Sequence, residues 1–489
     1  MAPPNPQVHM LLFPLMAQGH MIPMIDIARL LAKRGVIITL ITTPVNAGRF
    51  RTVLNRSIIS GLQIRVIELE FPWAEAGLPE RCENFDLLPS SVDLSVNMFS
   101  STDFFQKRVE ELFEELSPRP SCIISDMCVH HTSEVAKRFK VPRIVFHGVG
   151  CFCLMCLHCL QHLNVLETFT SALEYFVFPG LPDRLEFTKA QLPVAQSPEV
   201  DKIFQRFGGA DLASYGVIVN SFEELEPAYV NEYKKVRGGK VWCIGPVSLY
   251  NKDHLDMAER GNKASISQEE CLKWLDSKEP GSVLYACLGS LCTLAPLQLQ
   301  ELAIGLEASN RPFIWVTREN DQLNELEEWI AQERFEEKTK GQGMLIRGWA
   351  PQVLILSHGS VGGFLTHCGW NSTIEGICAG IPMLTWPLFG DQFCNEKLIV
   401  EVLKTSVRVG ADVPVYFRFG EGGDMVRKGD VEKAIDELMD GGHEGEERRR
   451  RAIELGEKAK RAIEEGGSSY LNLTLFIQEI EQLVQDGFN

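Results

Sequence analysis

Apolar residues fall in short continuous blocks separated by helix-period stretches, and the same plan occurs twice. Residues 10–16 form an apolar block, 17–20 a turn holding Gly19 and His20, and 21–33 a helical pattern; a second block follows at 36–41. The order returns as a block at 283–288, the turn Gly289-Ser290, a periodic segment at 296–307 and a block at 312–316. A continuous apolar strand, then a Gly-containing turn and a helix, opens a parallel, doubly wound α/β unit. Further strand-like blocks follow each opening, at 121–125 and 141–146 in the first half and at 343–347, 360–366 and 381–386 in the second.

The last strand-like run of the first half is 241–246. Residues 251–267 that follow are rich in Asp, Glu, Lys, Asn and Ser, the chemistry of a linker. A charged amphipathic helix begins near 446, is broken by Gly466-Gly467, and gives way to a last amphipathic segment at 468–485. The pattern predicts an α/β protein of two Rossmann-like domains with a cleft between them. The expected divisions are an N-terminal domain at 1–250, a linker at 251–270, a C-terminal domain at 271–465 and a final helix at 466–489.

Composition narrows the function. The chain has 489 residues, 45% apolar and 23% charged, which suits two full hydrophobic cores and excludes disordered or collagen-like classes. Its 48 Lys and Arg against 65 Asp and Glu give a formal charge of −17, which disfavours nucleic acid and anionic membranes as partners. No apolar run approaches the roughly 20 residues of a membrane span, and residues 1–6 lack the basic start of a signal peptide. A cytoplasmic location is the expectation. The Cys151, Cys153, Cys156 and Cys159 cluster is interleaved with Leu and Met as on a buried helix, and no second ligand pair follows, so no metal site is expected.

Ligands of open parallel sheets bind beyond the carboxyl ends of strands. His20 follows the first strand and Asp126 follows the block at 121–125, so the two can meet there. The Asp would orient the ring and stabilise its protonated form, leaving the other nitrogen as a general base. A capping Asp and a surface His are the plainer reading of these two residues alone. In the second half, a strand at 361–366 leads through His367-Cys368-Gly369-Trp370-Asn371 into a helix from 372, whose N-terminus suits a phosphate. Ser372 and Glu375 also fit a capping box. Neither GxGxxG nor GxxxxGK[ST] is present, which counts against a dehydrogenase and a P-loop enzyme.

The 44 residues at 349–392, WAPQVLILSHGSVGGFLTHCGWNSTIEGICAGIPMLTWPLFGDQ, resemble without insertion the signature of plant secondary-product UDP-glycosyltransferases. The likeness extends to 16–32, to Ser125-Asp126-Met127-Cys128 and to 286–291, and is strongest to the branch acting on flavonoid, steroid and triterpenoid acceptors. Gly359, where relatives often have Pro, is a minor departure.

The resemblance implies the GT-B fold, in which the final helix crosses back onto the first domain. It implies that Trp349 stacks on uracil, that Gln352 and the Ala350 backbone contact the uracil edge, and that Glu375 binds the ribose hydroxyls. His367, Asn371, Ser372 and Ser290 would hold the diphosphate, and Trp370, Asp391 and Gln392 the sugar. Gln392 at the signature's last position goes with glucosyl donors.

The expected reaction is metal-independent, inverting transfer from UDP-glucose, a co-substrate, to a hydroxyl of an apolar small molecule. His20 is the base and Asp126 its partner. Gly19, His20, Phe85, Leu88 and Phe152 are the expected acceptor-side residues, the apolar ones because they lie in Phe- and Leu-rich stretches near the cleft. Two alternatives stand beside this reading: a UDP-sugar-binding protein without catalysis, and the same transferase with another UDP-sugar.

Overall fold

The computed structural model describes residues 7–488 apart from 90, 164, 166–170, 196, 292–293, 319–323 and 416–424. Residues 1–6, on which the signal-peptide expectation rests, lie outside the described residues. The first half is built on seven parallel strands: β1 (His9–Phe13), β2 (Ile37–Thr42), β3 (Ile64–Glu68), β4 (Cys122–Asp126), β5 (Arg143–His147), and, after a small antiparallel hairpin of β6 (Tyr175–Val177) and β7 (Glu186–Thr188), β8 (Gly216–Val219) and β9 (Val241–Cys243). They are ordered β3-β2-β1-β4-β5-β8-β9. The second half has six parallel strands: β10 (Val283–Cys287), β11 (Phe313–Thr317), β12 (Gly343–Arg347), β13 (Val361–Thr366), β14 (Met383–Thr385) and β15 (Ser406–Arg408), ordered β12-β11-β10-β13-β14-β15.

Both orders reverse direction at one place, between β1 and β4 and between β10 and β13. Helices cannot cover the sheet there from a single side, so a crevice opens at the strand ends. β1 is buried at every position and β10 at all but its last, because helices lie on both faces.

Six helices matter for the site: α1 (Gln18–Lys33), α2 (Cys151–His162), α3 (Trp370–Ala379), α4 (Gln392–Lys397), α5 (His443–Ile463) and α6 (Ser468–Asp486). α1 begins earlier than the pattern predicts. The Ala17 carbonyl already accepts the His20 and Met21 amides at 3.0 and 2.8 Å, so His20 sits in the first helical turn and not in the loop before it. The C-terminal segment passes from the second half, where α5 packs on α3, to the first, where α6 packs on β9. There Phe476 lies 5.2 Å from the Trp242 ring, and Glu479 accepts from Tyr215 and Lys240.

One apolar core surrounds β1, β2 and β4 of the first sheet on both faces, and another lies on one face of the second. A third is shared: Phe152, Val217 and Tyr229 of the first half join Tyr285, Phe364, Trp370 and Cys394 of the second. The halves are therefore fused at the cleft floor by packed side chains.

Candidate active site

The crevice of the first sheet brings its two candidate residues together. Phe13 of β1 pairs with Ser125 of β4, so the chain leaves both strands at one level. Asp126 ends β4 with its side chain 0% exposed, while the His20 side chain is 29% exposed. His20 Nδ1 and Asp126 Oδ2 are 2.7 Å apart, and Asp126 Oδ1 accepts the Cys128 amide at 2.9 Å. Both carboxylate oxygens are thus fixed, and the ring presents Nε2 to the cleft. Burial alone would lower the His20 pKa, but the Asp126 carboxylate and, more weakly, Asp391 favour the charged ring, and the net shift is upward. Asp391 belongs to the second half, so a carboxylate of one domain faces the imidazole of the other. Asp126 does cap the turn through Oδ1, but its Oδ2 holds a half-buried His20 as well, which the plainer reading of the two residues leaves out.

The second crevice gathers the other expected residues. Cys287 of β10 pairs with Thr366 of β13, and Gly289-Ser290 and His367 follow directly. The His367 ring lies between Gly289 and Gly369; a Cβ on either would come within 2.5 and 2.3 Å of Nε2, so only glycines leave it room. Burial pushes its pKa down to about 4, which keeps the ring neutral, and its buried Nδ1 has no partner among the described residues. α3 starts at Trp370 after Gly369, whose carbonyl accepts the Thr373 amide, and no side chain caps it. Ser372 is therefore inside the first turn, and the capping-box reading of Ser372 and Glu375 does not hold. Uncapped N–H groups and a positive dipole end face the crevice, a ready seat for an anion.

Gln352, Ser372 and Glu375 converge: Gln352 Nε2 donates to Glu375 Oε2 at 2.7 Å and to Ser372 Oγ at 3.1 Å. The Ala350 carbonyl accepts the Gln352 amide at 2.8 Å, which places both beside Trp349. Asn371 Nδ2 donates to the Gly19 carbonyl at 2.5 Å, joining the phosphate-seat turn to the residue before His20. Asp391 Oδ2 accepts from Asn395 at 2.7 Å, and Gln392 Oε1 accepts the Leu388 and Phe389 amides at 2.8 and 3.1 Å. A carboxylate oxygen and an amide NH2 are left to meet a polyol.

A family model described as UDP-glucoronosyl and UDP-glucosyl transferase matches residues 256–442. Over 484 residues the sequence is 57% identical to UDP-glycosyltransferase 73C6 of Arabidopsis thaliana, covering 98% of this chain and 97% of that relative. The chain belongs to the UDP-glycosyltransferase family. Among solved structures, Glycyrrhiza uralensis UGT73P12 complexed with glycyrrhetinic acid 3-O-monoglucuronide matches with TM-score 0.89 at 36% identity, covering 98% of this chain and 97% of that one. Phytolacca americana UGT2 complexed with UDP-2fluoro-glucose and pterostilbene matches with TM-score 0.75 at 28% identity, covering 97% and 99%. The two facing doubly wound domains of this glycosyltransferase are the GT-B fold.

Some expected residues of the glycosyltransferase stand elsewhere. The Trp370 indole does not reach toward a sugar. It is buried, its Nε1 donates to the Asn220 carbonyl at 2.8 Å, and its ring lies where a Cβ on Gly150 would be 2.6 Å away. Trp370 is an interdomain contact, and only its backbone N–H, at the start of α3, faces the crevice. Phe152 on α2 is 0% exposed and packs 4.8 Å from the Tyr229 ring, so it belongs to the shared core and walls no open pocket. Phe85 and Leu88 are also buried. Their segment adjoins the base, since the Phe85 amide donates to the Met16 carbonyl at 3.0 Å, but the Phe85 ring packs on Phe99. Gly19 is exposed at the cleft.

The stretch read as a linker does more than space the domains. Asp256 accepts from Arg29 and Arg56, and Asn262 accepts from Gln18 at 2.8 Å. Arg260 donates to both Asp26 and Glu375. A single Arg in a polar run carries no local signal of this, because its partners lie 115 and 234 positions away in the chain. Among the described residues, no helix is long and apolar enough to cross a membrane, and no three His, Cys, Asp or Glu side chains form a metal-binding group.

Proposed function

We propose that this glycosyltransferase moves glucose from UDP-glucose to a hydroxyl of an apolar plant metabolite, with inversion, using His20 as base and Asp126 as its partner. The observation that carries the reading is the 2.7 Å His20–Asp126 hydrogen bond, set at the switch point and facing Asp391 across the cleft. An acceptor hydroxyl gives its proton to His20 Nε2 as its oxygen attacks the anomeric carbon. The bond from that carbon to the β-phosphate oxygen breaks on the opposite face, and UDP leaves with the electron pair. Asp126 stabilises the imidazolium as it forms. One displacement turns an α-linked donor into a β-linked product.

In this reading the neutral His367 ring, Asn371, Ser372, Ser290 and the N–H groups at the start of α3 take the charge of the leaving diphosphate. Trp349 stacks on uracil, with Gln352 and the Ala350 backbone at its edge, and Glu375 accepts the ribose hydroxyls. Asp391 and Gln392 face the sugar with one free acceptor oxygen and one donor NH2. That pair suits neutral hydroxyls, whereas the carboxylate of a uronate would meet the like charge of Asp391. UDP-glucose is therefore expected to outperform UDP-glucuronate and, because Gln392 stands at the signature position that goes with glucosyl donors, UDP-galactose as well.

For the acceptor, the proposed class is a fused-ring compound, a triterpenoid, steroid or flavonoid, and not a free sugar, whose hydroxyls would lose hydration without partners in an apolar seat. The solved relative bound to glycyrrhetinic acid 3-O-monoglucuronide supports this class. The test is a competition of a triterpenoid, a flavonol and a simple sugar with each of the three donors, read by product mass. Preferred glycosylation of the free sugar removes the acceptor assignment; a reversed donor ranking removes the donor assignment.

A further inference from the structure

Arg260 lies in the polar stretch between the domains, yet its side chain is only 9% exposed. Its Nη1 donates to Glu375 Oε1 and its Nη2 to Asp26 Oδ2 at 2.7 Å, both carboxylates being even more buried. Its carbonyl accepts the Trp349 indole N–H at 3.1 Å, and the next residue, Gly261, lies so close to that indole that a Cβ would come within 2.5 Å of Cζ2. The Trp349 backbone is tied to the same stretch through Ser265, by bonds of 2.8 and 3.0 Å. Arg260 therefore touches two of the groups assigned to the nucleoside of UDP, Glu375 through its guanidinium and Trp349 through its carbonyl.

We propose that Arg260 is a positioning residue of the donor site, holding the Glu375 carboxylate and the Trp349 indole in the arrangement that the nucleoside of UDP meets. The inference rests on the reading that Glu375 binds ribose. A carboxylate has about four lone-pair positions; Arg260 and Gln352 use one on each oxygen, so ribose hydroxyls can bind without displacing either. Without the guanidinium, Asp26 and Glu375 would be two buried carboxylates with no cation between them. Burial alone would lower the Arg260 pKa, but the two carboxylates raise it further, so the cation is permanent. A stretch that merely blocked the nucleoside seat would instead hinder UDP, and that makes the opposite prediction.

The test uses the full chain and UDP titrated by calorimetry into wild type, E375Q, R260M, R260K and the R260M/E375Q double variant, with donor KM and kcat measured in parallel. R260M is expected to weaken UDP about 10- to 100-fold, raising the UDP-sugar KM while leaving kcat at saturation nearly unchanged. R260K keeps a cation but cannot span both carboxylates, so it recovers most of that loss, leaving KM roughly 3- to 10-fold above wild type. In the double variant the losses do not add, because Arg260 acts through Glu375. Wild-type affinity in E375Q removes the ribose reading, and the inference with it. A weakened E375Q beside an R260M that binds UDP as well as or better than wild type overturns the inference alone, as do additive losses. If R260M does not fold, an unchanged KM in R260K overturns it as well.

Discussion

Replacing Asp126 with Asn probes the base without touching its ring. Asp126 satisfies two donors at once, the Cys128 amide at 2.9 Å and His20 Nδ1 at 2.7 Å. The single Asn oxygen can serve only one. If it stays on the Cys128 amide, the NH2 turns toward His20, Nδ1 becomes the acceptor, and the proton moves to Nε2. That tautomer cannot take a proton from an acceptor hydroxyl. Losing a charge-assisted hydrogen bond to the imidazolium alone costs about 1.5–3 kcal/mol, which is roughly 10- to 150-fold in rate. The wrong tautomer adds to this, so kcat is expected to fall about 10²–10⁴-fold.

The pH profile gives an independent reading of the same variant. Burial opposes the charged His20 ring, but Asp126 and Asp391 outweigh it and raise the pKa above 6.5. The neutral, proton-accepting form accumulates as pH rises through that raised value, so wild-type kcat/KM climbs with a midpoint above 6.5. Removing the Asp126 charge moves the residual midpoint to lower pH. The assay is initial-rate UDP release across pH 5 to 10 with donor saturated and acceptor varied, giving kcat and acceptor kcat/KM, alongside UDP calorimetry, which should show unchanged affinity. A wild-type kcat with an unmoved midpoint would refute the role given to Asp126.

Two further outcomes are expected. Chelation with EDTA should leave turnover intact if the proposed His367, Asn371, Ser372 and helix N-terminal donors take the charge of the leaving diphosphate; loss of activity restored by Mg²⁺ would contradict this. Trp370→Phe should remove the bond to the Asn220 carbonyl and lower stability by about 1–3 kcal/mol. A thermal scan should show a lower midpoint with UDP affinity little changed, and an unshifted midpoint would show that the bond contributes nothing.

The parts of this protein that depend on local pattern were legible in its sequence. The duplicated strand–turn–helix opening located β1 and β10, because continuous apolar runs have few alternatives once both faces are buried; the block at 343–347 also coincides with β12, an edge strand buried only at Ile346. The His20–Asp126 pairing was also accessible, since each residue follows a strand of one parallel sheet. What depends on distant partners was not. α3 begins at Trp370 and not at 372 because the Gly369 carbonyl is already helical, which turns an apparent capping box into an interior Ser and a Glu held by Arg260. The resemblance gives Trp370 a sugar contact and the apolar stretch gives Phe152 an acceptor-side role, yet both side chains pack into the core shared by the two domains. The polar stretch at 251–267 reads as a spacer because ion pairs formed across hundreds of residues leave no local trace.

The central claim is tested most directly by His20→Ala, with UDP-glucose turnover on an apolar hydroxylated acceptor measured beside UDP affinity on the same preparation. The base acts only in the transition state, so turnover should fall about 10²–10⁴-fold while UDP binds as to wild type. Wild-type turnover at neutral pH in a folded His20→Ala protein would contradict the assignment of His20 as the base.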